Sequence, residues 1–312
     1  MATATTPLAP SIIGSPRGST LLPPKQPSWR ETPLSLRATT EAIERIVVAL
    51  DAASELRTTI ETAARLAARW RVPLHGLFVE DEELICLAGL PFASQVTLAA
   101  GREPLRKDHV EDHLRAFAEG ARRQLGAAAG RHGVEWSFEV VRGPLTADTL
   151  GDVGHDLVVA GAATRPIGSH FRVASRWWSL IATIGRPVLL ARRDWDTGGS
   201  VLTLLHGCDP RSARALEIAA QIAGFYSRTL TVTGAFDPSG SEDFAGWVSR
   251  LLEGHSLRLQ TEPATIEPTA LEERITELDC RLLVVEANKN EVQPQDLRKH
   301  FAQLSCDLLV IH

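Results

Sequence analysis

Residues 45–51, Arg45-Ile46-Val47-Val48-Ala49-Leu50-Asp51, form an apolar, β-branched run in which polar and apolar positions do not alternate. A strand with one wet face alternates, so a run that does not must be covered on both faces, as a central strand of a parallel sheet is. The residues that follow supply a cover. From Leu56 to Trp70 apolar residues recur at helical spacing through Ile60, Ala63, Ala64, Ala67 and Ala68, and Pro73 marks the exit. Residues 74–79 then read as a second strand. Strand, helix and strand within about 35 residues make a βαβ unit, whose crossover is expected to be right-handed.

The same grammar continues. Residues 80–103 form a long connection, acidic through Glu80-Asp81-Glu82-Glu83 and then apolar, and a connection of that length usually has a task or a partner. A charged helix is expected over 104–130 and a third strand over 134–141, broken by Gly143-Pro144. Strands over 156–160 and 187–191, with a helix over 171–184 between them, complete a five-stranded doubly wound unit. After a linker at 194–199 the pattern restarts, with a strand over 201–205, a helix over 213–224 and a strand over 230–235. Aligning Leu66 with Ile222 places Leu74 on Leu230 at one offset of 156. Leu282-Leu283-Val284-Val285 parallels Leu157-Val158-Val159-Ala160, and Leu308-Leu309-Val310-Ile311 parallels Val188-Leu189-Leu190-Ala191.

The expected fold is therefore α/β: two tandem doubly wound, Rossmann-like units, each with a mostly parallel five-stranded sheet, over 43–193 and 200–312. A chain of 312 residues suffices for two such cores. Residues 1–42 are different. They hold seven prolines among many Ser and Thr, with no apolar period, and read as a disordered tail. Arg17, Lys25, Arg30 and Arg37 in an acid-poor stretch raise an organelle transit peptide as the alternative, but no amphipathic Arg-rich helix accompanies them. A secretory signal lacks its charged start and compact apolar stretch, and a cytoplasmic location is expected.

Composition narrows the function classes. With 44% hydrophobic and 23% charged residues the chain is globular in type, and no apolar run reaches the ~18 residues of a spanning helix, so no membrane insertion is expected. Thirty-three Lys and Arg against 38 Asp and Glu leave a net charge of −5, which gives no general attraction for nucleic acid. Cys86, Cys208, Cys280 and Cys306 are scattered without zinc spacing and read as small buried hydrophobes in a reducing compartment.

Three blocks of the first unit resemble the universal stress protein family: the strand ending in Asp51, the His75-Gly76-Leu77-Phe78-Val79-Glu80-Asp81 strand end, and Asp156-Leu157-Val158-Val159-Ala160-Gly161 followed by Arg186-Pro187-Val188-Leu189-Leu190. The likeness covers residues 44–193 well and 200–312 in outline. It implies an adenine nucleotide alpha hydrolase-like fold, a stress-response role without enzymatic activity, and two units packed as an internal pseudo-dimer through their last strands. Nucleotide-binding members carry Gly-x-x-Gly, nine residues, then Gly followed by Ser or Thr, which lets backbone N–H groups close on phosphate at a helix start. Here that register holds Gly161, Thr164 and Ala174-Ser175, with Gly168 available to restore some backbone freedom. Two of the three glycines are replaced. Nucleotide binding is accordingly expected to be weak or lost, with no cofactor; the alternative is a sensor binding ATP or AMP through Asp51, Gly161, Thr164, Gly168, Ala174 and Ser175.

Asp51 matches the family's adenosine-facing acid, and it also suits a cap on the following helix. Position 207, which the offset of 156 pairs with Asp51, is Gly, and residues 287–312 contain no glycine, so the second unit is expected to lack a phosphate cradle. His109 and His113 stand four apart on a helix, but a solvated charged face explains them better than a metal, and no metal site is expected. His75 reads as a structural residue. No G-x-S-x-G, G-x-G-x-x-G or P-loop motif follows an opening strand. Trp177-Trp178 fall on the helix after the altered loop, one ring expected in the core. The loop at 80–103 is the expected docking place for a protein partner.

Overall fold

β1 (Arg45–Leu50) shows why its sequence does not alternate. Ile46, Val48 and Leu50 belong to one buried apolar cluster and Val47 and Ala49 to another, on the opposite face of the sheet. Five of its six residues are fully buried. The computed structural model describes residues 42–52, 56–97, 101–143, 156–161, 181, 184–192, 198–234, 241–255, 257–263, 268–287 and 304–312. All but the last residue of the tail assigned to 1–42 lies outside them, as do Thr164, Gly168, Ala174, Ser175, Trp177, Trp178 and most of the 194–199 linker.

The first half continues with α1 (Leu56–Trp70), β2 (Leu74–Glu80), α2 (Glu82–Ala88), β3 (Ser94–Thr97), β4 (Gly101–Pro104), α3 (Lys107–His132), β5 (Trp136–Arg142), β6 (Asp156–Gly161) and β7 (Val188–Ala191). The second half holds β8 (Ser200–Leu205), α4 (Pro210–Phe225), β9 (Thr229–Gly234), α5 (Ser241–Leu251), β10 (Arg258–Pro263), α6 (Pro268–Glu277), β11 (Cys280–Glu286) and β12 (Asp307–Ile311). Among the described residues, ten strands form one sheet in the order β10-β9-β8-β11-β12-β7-β6-β1-β2-β5. Each half contributes five strands in the doubly wound order 3-2-1-4-5, all parallel within the half. The antiparallel pairing in this sheet is that of β7 with β12, which joins the halves. Asp307, fully buried at the start of β12, accepts the backbone N–H of Arg192 at 2.7 Å and fastens that join.

The connection over 80–103 is more structured than its sequence predicts. Asp81 N-caps α2 by accepting the N–H of Leu84 at 3.2 Å, and Glu82 and Glu83 occupy the first turn, where the helix dipole favours acids. Ile85 and Ala88 pack on Val110 and Leu114 of α3 in a small cluster of their own. β3 and β4 then close as an antiparallel hairpin. Cys86 lies on the outer face of α2 and is exposed, contrary to the expectation of burial, because Ile85 and Ala88 take the inward positions.

Candidate functional site

In a doubly wound sheet, ligands bind outside the carboxyl ends of the strands, where the winding reverses. In the first half that point lies between β1 and β6. Ala49 is paired with Ala160, so Leu50 stands beside Gly161 and Asp51 follows at once. The structure thus brings together two of the residues singled out in the sequence. Asp51 is buried at 7% exposure, and Gly161, the last residue of β6, is buried and paired with Ala191. The other four, Thr164, Gly168, Ala174 and Ser175, lie outside the described residues.

The flank of this edge carries an ion cluster that sequence reasoning passed over. Arg142, the last residue of β5, is paired with Glu80, the last of β2. Its guanidinium donates to the Glu80 carboxylate at 3.0 Å and lies 3.6 Å from Glu111 of α3. The hydrogen bond to Glu80 raises the Arg142 pKa. The chain leaves through Gly143 at φ 106°, a backbone conformation suited to glycine, with the Glu82 carboxylate 3.4 Å from where a Cβ would sit. The signal was available in the sequence: two neighbouring strands, each ending on a charge of opposite sign.

Strand register identifies the counterparts in the second half, and it corrects the offset of 156. Ile46 pairs with Leu74 and lies beside Leu157; Val201 pairs with Leu230 and lies beside Leu282. The first strands are therefore related by 155 residues and the second strands by 156, so the second half has one more residue between its first and second strands. His206, not Gly207, occupies the place of Asp51. Glu286 occupies the place of Gly161, since Gly161 pairs with Ala191 as Glu286 pairs with Ile311 at the matching end of the last strand.

Glu286 is half-buried, and its Oε1 is enclosed without a hydrogen-bond partner. Burial pushes its carboxyl up to about 7, the Ser212 side chain opposes that, and the nearby Asp209 carboxylate adds to it. The N–H of His206 and the Arg211 charge favour the ionised form more weakly. Asp209 itself caps α4, accepting the N–H groups of Arg211 and Ser212, both at 2.9 Å. The N-terminus of α4, the place where a parallel sheet would offer donors to an anion, is thus faced by two carboxyl groups of the chain itself.

The remaining candidates have structural surroundings. His75 Nδ1 is 2.8 Å from Ser137 Oγ, and burial together with the Arg45 charge lowers its pKa, against Glu139 and Asp156. His109 and His113 are exposed, and the described residues contain no group of three or more His, Cys, Asp or Glu arranged to hold a metal. Glu61 of α1 accepts from Arg65 at 3.2 Å, Arg131 at 2.7 Å and His132 at 2.8 Å, tying α1 to α3.

No protein-family model and no curated protein sequence matches the chain. The likeness is structural. A universal stress protein from Archaeoglobus fulgidus DSM 4304 superposes with a TM-score of 0.62 at 11% identity, covering 86% of this chain and 96% of that one. A functionally unknown protein from Pseudomonas aeruginosa PAO1 superposes with a TM-score of 0.55 at 15% identity, covering 87% and 93%. With one mostly parallel sheet, two halves of the same winding and this match over most of its length, the chain has the fold of the universal stress proteins.

Proposed function

We propose that the protein is a non-enzymatic stress-response or regulatory module of the universal stress protein type, cytoplasmic, acting through protein contacts, with nucleotide occupancy weak or absent. The observation that carries this reading is Glu286 in the place of Gly161: the scaffold of the nucleotide edge is kept while a carboxylate stands where a phosphate would need backbone donors. In the first half the register of the family's glycines holds Thr164 and Ala174, which supports the same reading. The two halves, joined through β7 and β12, act as an internal pseudo-dimer. The contact surface for a protein partner is α2 with the segment after it, where Leu84, Leu87, Leu90 and Phe92 are exposed, Phe92 at 75%.

A second reading is favoured by one observation, the adjacency of buried Asp51 and Gly161 at the winding reversal of the first half. On it, that half binds ATP or AMP as a sensor. Titration calorimetry with ATP separates the two. Silence up to millimolar nucleotide supports the proposal; micromolar binding that is lost in Asp51→Ala overturns it in favour of the sensor.

A further inference from the structure

The two ends of the ten-stranded sheet are unlike. β10 closes one end with the charges of Arg258 and Glu262 and with Pro263, which has no N–H to offer a further strand. β5 forms the other end and contains no proline. Among the described residues it pairs on one side, with β2. The Leu74 N–H donates to the Glu135 carbonyl at 2.9 Å and the Gly143 N–H to the Glu80 carbonyl at 3.2 Å, so the odd-numbered positions turn their backbone groups towards β2. Alternate residues of a strand face opposite neighbours, and Trp136, Phe138, Val140 and Arg142 therefore present their N–H and C=O groups outward.

Three of those four side chains are apolar. Alternation puts Trp136, Phe138 and Val140 on one face of β5, the face against α3. A Cβ on Gly126 of α3 would lie 2.8 Å from the Trp136 ring, and Phe138 packs against the cluster that holds Leu125. Apart from the four on α2 and the segment after it, the exposed large apolar side chains of the described residues are Phe117, Trp136 and Val140, between 41% and 47% exposed. They stand at one edge. α3 returns antiparallel to the strands as a crossover helix does, and stepping back along it from Gly126 to Phe117 covers about 13 Å. From Trp136 to Val140 is also about 13 Å along β5, which sets Phe117 level with Val140.

We propose that β5 is a homodimer interface, pairing antiparallel with β5 of a second copy about a two-fold axis at Phe138, so that two ten-stranded sheets become one. The strand is complementary to itself in that register. Phe138 opposes its own copy, Trp136 opposes Val140 and Ser137 opposes Glu139. Aromatic against β-branched and hydroxyl against carboxylate are favourable cross-strand pairs, and no like charges meet. Phe117, level with Val140, then lies beside the second copy's Trp136. Neighbouring axes are worse. An axis at Glu139 sets two carboxylates face to face, one at Ser137 sets Glu135 against Glu139, and one at Val140 leaves Trp136 past the end of the second strand. The contact uses the same patch on both copies and so closes at two. The chain already joins its own halves by an antiparallel edge pairing, that of β7 with β12.

The test is sedimentation equilibrium of the full chain at micromolar concentration, with and without Val140→Glu. The expected mass is that of two chains. Val140→Glu sets a carboxylate against Trp136 at both ends of the pairing and is expected to raise the dimer dissociation constant about tenfold or more. The register is read by cross-linking in a chain carrying Cys86→Ser and Cys208→Ser. Ser137→Cys and Glu139→Cys are made in separate proteins, because the proposed axis brings the two positions within disulfide reach, with Cα atoms about 4.5 Å apart. Oxidation with copper phenanthroline is expected to link an equimolar mixture into a covalent dimer and to leave each protein alone largely unlinked. A monomer for the native sequence, a dimer that Val140→Glu leaves as tight as before, or a mixture that links no more than its components overturns the proposal. The cross-link decides even if the Val140 variant fails to fold.

Discussion

Glu286 is a carboxyl group held half-buried beside the Asp209 carboxylate, and its cost depends on pH. Its folded pKa of about 7 lies above the ordinary 4.5, so the folded state prefers the protonated form. Stability linked to that proton is full below about pH 4.5 and lost as pH rises through about 7. Glu286→Gln is therefore expected to raise the stability above pH 7 by about 1–2 kcal/mol, after allowance for solvent screening, and to leave it unchanged near pH 4.5. Urea denaturation at the two pH values measures this. Glu61 behaves in the opposite sense: burial pushes its pKa up, but His132, Arg131 and Arg65 outweigh that and hold it at about 2. Its contribution is present above pH 4.5 and disappears as pH falls through about 2, so Glu61→Gln is expected to cost about 1 kcal/mol at neutral pH and nothing in strong acid. Asp51 and Gly161 were legible in the sequence because each ends an apolar run on a small or charged residue. His206 was not, because apolar periodicity does not show where one extra residue enters between two strands, whereas Glu286 was, since it follows the Leu282–Val285 run as Gly161 follows Leu157–Ala160.

The buried strands were easiest to read and the polar edge strand β10 hardest, for one reason. β1, β6, β7, β11 and β12 are covered on both faces and therefore show as continuous apolar runs. β10, at one end of the sheet, reads Arg-Leu-Gln-Thr-Glu-Pro, and nothing in such a polar hexapeptide separates a strand from a loop. α2 was hidden by its length: seven residues give too few turns for a period, and the cap at Asp81 was the available sign. Two predictions belong at this scale. Asp209→Ala removes the acceptor for two N–H groups at the start of α4 and is expected to cost about 1 kcal/mol in urea denaturation. Phe92→Ser, at 75% exposure, is expected to change stability by less than about 0.5 kcal/mol while lowering the binding of a hydrophobic dye. A large loss of stability would place Phe92 in the fold instead of on its surface.

Across the whole molecule the two halves share more than a boundary. Each of the two large apolar clusters contains residues of both: Ile46 and Leu189 with Leu282, Val284 and Leu309 on one face, Val47 and Leu190 with Leu283 and Val310 on the other. With a continuous sheet and shared apolar layers, the halves are expected to unfold together. Calorimetry should show one endotherm whose van't Hoff and calorimetric enthalpies agree. Leu309→Ala, at a fully buried position beside the join, is expected to cost about 2–4 kcal/mol and to lower that single transition without splitting it. Two separated transitions would show that the halves are independent folding units.

The antiparallel pairing of β7 with β12 also bears on abundance. Separate subunits joined edge to edge come apart on dilution, whereas two partners on one polypeptide meet at an effective concentration set by the chain between them. A ten-stranded platform built this way stays assembled however few copies a cell holds.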